Sequence, residues 1–118
     1  LGEGVRRYQR AADGRLVQRV VFGNLSLLDS IQAAADGQFL IPAYPSLPNF
    51  LLHWQLRKQR SPSKVYAFDP VTGHGQPIFV DDGRLISAIS AALPVNDQVF
   101  LGQVFDAFIL RCSLKPTP

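Results

Sequence analysis

Between Lys64 and Ser90 the chain reads KVYAFDPVTGHGQPIFVDDGRLISAIS. Three short apolar runs are cut by the turns PVTGHG and DDGR. Turns this closely spaced leave no room for a helix of ordinary length, and the apolar residues alternate with the period of a strand. The stretch therefore predicts strand, turn, strand, turn, strand. A hairpin is marginal in water by itself, so these strands must belong to a larger set of antiparallel sheets.

The same pattern extends in both directions. Val5–Tyr8, the turn AADG and Leu16–Phe22 form one predicted hairpin. The stretch DSIQAAADGQFLIPAYP forms a second, turning at Asp36-Gly37, where both positions tolerate positive φ. After a Pro-rich loop through Pro48, NFLLHWQLRKQRSPS is the one helix candidate. Asn49 is its expected N-cap, Phe50/Trp54 and Leu52/Leu56 fall at i, i+4, and Arg57, Lys58 and Arg60 suit its C-terminus before Ser61-Pro62. Strands over Lys64–Asp69, Pro77–Asp81, Leu85–Leu93, Gln98–Gly102 and Ala107–Leu114 follow, with PVND as the turn between the third and fourth. The fold class is all-β, with antiparallel strands and one inserted short helix.

Length and composition restrict the alternatives. A chain of 118 residues, close to half apolar, is at most one domain and can bury a core without disulfides or a metal. Its single cysteine, Cys112, has no internal partner. The net charge of +3 is spread over dispersed arginines, so no nucleic-acid partner is expected. No apolar run reaches the length of a membrane span, and no charged-then-apolar leader opens the chain. The sequence has no methionine, which suggests a processed product or a fragment. Spacings for a phosphate loop, a zinc site or a serine nucleophile elbow are absent.

The strand order contains a repeat. DSIQAAADGQFLIPAY and SAISAALPVNDQVFLGQV each place a small-residue strand before an acid-bearing turn and a bulkier strand holding an aromatic. Asp29 and Ser87, which open them, lie 58 residues apart. Removing the helix and its basic tail leaves a period of about 44, that of a four-stranded propeller blade. The expectation is a partial β-propeller of about two blades. Residues 1–28 would supply two outer strands, 29–82 one blade with a helical insertion at about 49–60, and 83–118 three strands of the next blade.

On these residues, and on KVYAFDPVTGHG and VFLGQVFDAFILRCSL, the chain resembles the C-terminal third of the calcium-dependent six-bladed propellers. That superfamily includes strictosidine-synthase-like proteins, paraoxonases and arylesterases, and gluconolactonases. The resemblance implies a central calcium held by inner-strand carboxylates and amides, and hydrolysis of a small lactone or ester at that metal. It places Asp29 as a metal ligand. Ser30 follows where paraoxonase-like relatives have Asn, which departs from the pattern. The catalytic Glu of the plant condensing branch would fall around Ser87–Ser90, but the only Glu in the chain is Glu3.

Each candidate has a plainer alternative. Asp29 could instead accept backbone N–H groups at a turn. His53, on the insertion over the expected channel mouth, is a candidate catalytic residue, with Phe50 and Trp54 shaping an apolar substrate entrance. His74 lies in a turn. Cys112 shares a strand face with Phe108, Leu110 and Leu114, which predicts an inert thiol. Tyr66, Phe68, Phe79 and Phe100 read as packing between blades, and Asp81-Asp82 as a turn or a second metal site. The helix is expected to pack on its own domain rather than on a membrane. A sequence holding little over two blades leaves edges exposed, so the expected partner is the remainder of a propeller or further copies of the chain. The alternative to a hydrolase is a non-catalytic binding or self-assembly module.

Overall fold

The computed structural model describes residues 4–56 and 60–114. Among the described residues, nine strands form three separate antiparallel sheets. Strands β1 (Val5–Arg10) and β2 (Leu16–Phe22) pair alone. Strands β3 (Gln32–Ala33), β4 (Phe39–Ala43), β5 (Ser63–Phe68) and β6 (Gly75–Asp81) form a four-stranded sheet in sequence order. Strands β7 (Ile89–Val95), β8 (Gln98–Gln103) and β9 (Leu110–Ser113) form a three-stranded one.

The four-stranded sheet lies in the middle, and alternation along its strands explains why. Leu40 and Val65 point to one face and meet Ile86, Ile89, Ala92, Val99 and Leu101. Their neighbours Ile41, Tyr66 and Phe68 point to the other and meet Leu25, Leu28, Val5 and Phe22. Side chains one apart on a strand face opposite ways, so a run such as Phe39-Leu40-Ile41 serves two cores at once. That is the signature of a sheet covered on both faces.

Four turns carry the register. Asp36 and Gly37 both hold positive φ, at 61° and 74°, at the β3–β4 turn. Asn96, at φ 55°, makes the matching β7–β8 turn with Asp97. Strand β7 thus runs through Pro94 and Val95, and the turn is only the second half of PVND, Asn96-Asp97. Pro94 is tolerated because β7 is an edge strand that pairs only with β8. In the β5–β6 turn, Asp69 Oδ1 accepts the N–H of Val71 at 2.8 Å. In the loop after β6, Asp81 Oδ2 accepts from the N–H groups of Gly83, Leu85 and Ile86, so Asp81 is a turn-building carboxylate.

Helix α1 (Leu47–Gln55) joins β4 to β5. Ser46, not Asn49, is the N-cap, and its Oγ accepts the N–H of Asn49 at 3.4 Å. Pro48 occupies the first turn, where a missing N–H costs nothing. The helix ends at Gln55, short of the expected basic end; Arg57 and Lys58 lie outside the described residues.

Candidate functional site

The sheets are locked together at one end by the segments that enter β3 and β7. Leu27 and Ala88 adopt the left-handed conformation, with φ of 56° and 55°. The carbonyl of Leu27 accepts the N–H of Tyr44, just past β4, and that of Ala88 accepts the N–H of Val104, just past β8. The same device thus precedes the first strand of both sheets. It sets Asp29 opposite Ser90 in the repeat rather than opposite Ser87, and Ser30 Oγ donates to the Ser90 carbonyl at 2.5 Å.

Asp29 is exposed beside a cleft of about 230 Å³ lined by Gly4, Arg6, Leu28, Ser30 and Ile41 among others. Its backbone N–H donates to the Pro42 carbonyl at 3.0 Å. Its Oδ2 accepts the Tyr44 hydroxyl at 2.5 Å. Tyr44 is completely buried, and burial, reinforced by the neighbouring carboxylate, pushes its phenol well above the ordinary range. The phenol is therefore a fixed donor to Asp29.

Tyr44 also connects Asp29 to the helix. Its ring stacks on Phe50 with centroids 4.4 Å apart, Phe50 meets Phe105 at 5.8 Å, and His53 meets the same Phe105 edge-on at 5.1 Å. His53 is fully buried. Trp54 is exposed. None of Phe50, His53 and Trp54 is among the residues lining the Asp29 cleft. His74 is exposed in the β5–β6 turn, and Cys112 is partly covered, with its thiol pushed up by burial. The sequence reading did not single out Tyr44 or Phe105. Tyr44 had one legible signal, an aromatic immediately after the repeat's bulky strand.

Beyond α1 a second set of contacts ties the sheets. Ser61, Ser63 and Ser87 are fully buried. Ser87 Oγ accepts the Ser61 N–H at 2.7 Å and Ser63 Oγ accepts the Ile89 N–H at 3.0 Å. Arg60 reaches both Asp106, at 2.8 Å, and the Gly83 carbonyl, at 3.0 Å. These are structural fastenings without a reactive pair.

For calcium, six to eight oxygens at short range are the requirement. Among the described residues, no three of His, Cys, Asp or Glu group in a way that could hold a metal. What the cleft supplies is one carboxylate, with Oδ2 taken by Tyr44. No family model matches the chain, and comparison with curated proteins yields no match.

Proposed function

We propose that the chain is a section of a β-propeller belonging to a metal-dependent lactone or ester hydrolase, with Asp29 as its contribution to the metal. In this reading β1–β2 are the outer strands of one blade, β3–β6 a whole blade, and β7–β9 three strands of the next. The observation that carries the proposal is the placement of Asp29. It stands exposed at the entrance to the first strand of the four-stranded sheet, oriented by a buried tyrosine beside an open cleft. A calcium there would polarise a carbonyl and activate water. The other oxygens would come from water and from blades outside this section, so the section by itself would bind calcium only weakly. Tyr44 orients the carboxylate, Ser30 fixes the neighbouring backbone, and Phe50 and His53 hold the helix over Phe105.

Calorimetric titration with calcium, paired with a screen of small lactones and aryl esters, tests the proposal. Saturable uptake that disappears in Asp29→Ala is the expected result. No uptake by the parent chain, or equal uptake by Asp29→Ala, would sink it.

A non-catalytic assembly module is the second reading, and one observation favours it. The face of the three-stranded sheet turned away from the core exposes Leu93 and Val95, beside partly covered Phe100. A face of this kind invites another sheet, from a further copy or from the rest of a propeller. Light scattering with and without calcium separates the readings: a calcium-independent oligomer favours the module.

A further inference from the structure

The hairpin of β1 and β2 carries most of the chain's positive charge. Five of the nine arginines, Arg6, Arg7, Arg10, Arg15 and Arg19, fall within residues 5–22, against one acid, Asp13. The hairpin's net charge of +4 thus exceeds the +3 of the whole chain. Cations that look dispersed along the sequence are concentrated on one two-stranded ribbon.

Pairing gives the ribbon two unlike faces. Cross-strand partners share a face, so Val5 with Phe22, Arg7 with Val20, and Gln9 with Val17 lie on one side. Val5 and Phe22 pack there on the core. Arg7 belongs to this side too: its guanidinium lies over Phe22 and donates to the Pro70 carbonyl. The other side holds Arg6 with Val21, Arg10 with Leu16, and Tyr8 facing the bulge at Gln18 and Arg19. All of these side chains are exposed, and Tyr8 is 41% accessible. Asp13 is taken by Arg15 at 2.6 Å. Among the described residues no ion pair engages Arg6, Arg10 or Arg19, although Arg6 lines the Asp29 cleft.

The order of residues along this face narrows what can cover it. On β1, Arg6, Tyr8 and Arg10 alternate cation, ring, cation, with the two arginine Cα atoms about 14 Å apart. Charge on an edge strand guards against edge-to-edge pairing, but charges of either sign would serve, and no ring is needed between them. An acidic peptide would satisfy the guanidinium groups but brings nothing flat for the phenol ring. A single-stranded nucleic acid offers both in alternation: phosphates, which guanidinium forks bind through paired N–H groups, and bases with a free π-face for an aromatic ring. In a duplex those faces are stacked on one another and closed to Tyr8.

We propose that the outer face of the β1–β2 ribbon is a docking surface for single-stranded nucleic acid, with Arg6, Arg10 and Arg19 on the phosphates and Tyr8 stacked on a base. This surface is independent of Asp29 and of calcium.

Fluorescence anisotropy of a dye-labelled oligothymidylate, titrated with the full chain, tests the proposal. Binding should weaken as salt rises, with a slope of log K against log salt of about −2, that of three phosphates neutralised on a single strand. Tyr8→Ala should weaken binding about ten-fold, whereas Tyr8→Phe should keep it. Tyr8→Val, with a better strand former, replaces Tyr8→Ala should that variant fail to fold. Arg10→Gln together with Arg19→Gln should lower both the affinity and the salt slope at the parent unfolding midpoint, since both side chains are exposed. No rise in anisotropy at low salt would overturn the proposal. So would equal affinity for the annealed duplex or for a sulfated oligosaccharide, or a Tyr8→Ala variant that binds like the parent, since each would show a surface that reads charge alone.

Discussion

Tyr44 meets two demands at once: its ring stacks on Phe50 and its hydroxyl serves Asp29. The consequence is a pH dependence whose sign can be worked out. In an unfolded chain a tyrosine loses its proton at about pH 10. In the folded protein burial, and then the Asp29 carboxylate, raise that value. Above pH 10 the folded state retains a proton that the unfolded state releases, so this contribution is complete below about pH 10 and declines as pH rises further. The unfolding midpoint of the parent should therefore fall more steeply in that alkaline range than that of Tyr44→Phe; parallel curves would refute it. At neutral pH Tyr44→Phe should cost about 1.5–3 kcal/mol, the loss of a hydrogen bond to a charged acceptor. Gly73 gives a second residue-scale prediction. It sits at φ 79°, and a Cβ there would lie 2.3 Å from Phe22 Cδ1. Gly14, at φ 88°, has nothing within 4 Å of its Cβ position. Gly14→Ala should cost only the left-handed term of about 1–2 kcal/mol. Gly73→Ala should cost clearly more, because Phe22 must also move out of its edge contact with Phe68. Denaturant midpoints decide it, and equal losses would show that Phe22 yields freely.

At the scale of elements, the sheets are joined by buried serines as well as by apolar faces. Ser87→Ala removes the acceptor of the Ser61 N–H and leaves a buried donor without it. A loss of about 1–3 kcal/mol is expected, read as a lower denaturant midpoint at unchanged slope; a neutral substitution would mean that the segment relaxes onto water. Nothing in the sequence pointed to this fastening, because its partners are far apart in the chain and serine is an ordinary loop residue. Leu16–Phe22 is a strand from end to end, its alternation shifted by a bulge at Gln18, and Asp36-Gly37 turns where positive φ was needed. The errors are local conflicts of signal. Pro94 reads as a turn residue but lies within β7, since an edge strand has no ladder partner on its free side for the missing N–H. Pro48 reads as loop but sits in the first turn of α1, so the cap moved from Asn49 to Ser46. The burial of His53 beneath an otherwise exposed helix depends on Phe105, which comes from another sheet's loop, and no helical periodicity encodes that.

At the scale of the whole molecule, the three sheets stack into a body of 49 × 38 × 22 Å with a radius of gyration of 15.4 Å. A compact domain of this length would have about 13.5 Å. The excess follows from stacking open sheets side by side without closing them. It leaves one face of the last sheet without a covering sheet among the described residues, and the repeat aligns that face with the one that β4 turns to the following sheet. Leu40 on β4 is buried by the following sheet, while Phe100, in the corresponding strand β8, has no following sheet among the described residues. Leu101 and Leu93 therefore form a matched pair on opposite faces of one sheet. Leu101→Ala should cost about 2–5 kcal/mol, as a fully buried leucine does. Leu93→Ala should fall within about 0.5 kcal/mol when the chain is dilute, since its side chain already faces water. If another copy covers that face, sedimentation velocity at rising concentration will show a growing mass, and Leu93→Glu with Val95→Glu will hold the chain at 13.0 kDa without lowering its stability. A parent that stays monomeric at every concentration would rule out self-assembly through this face.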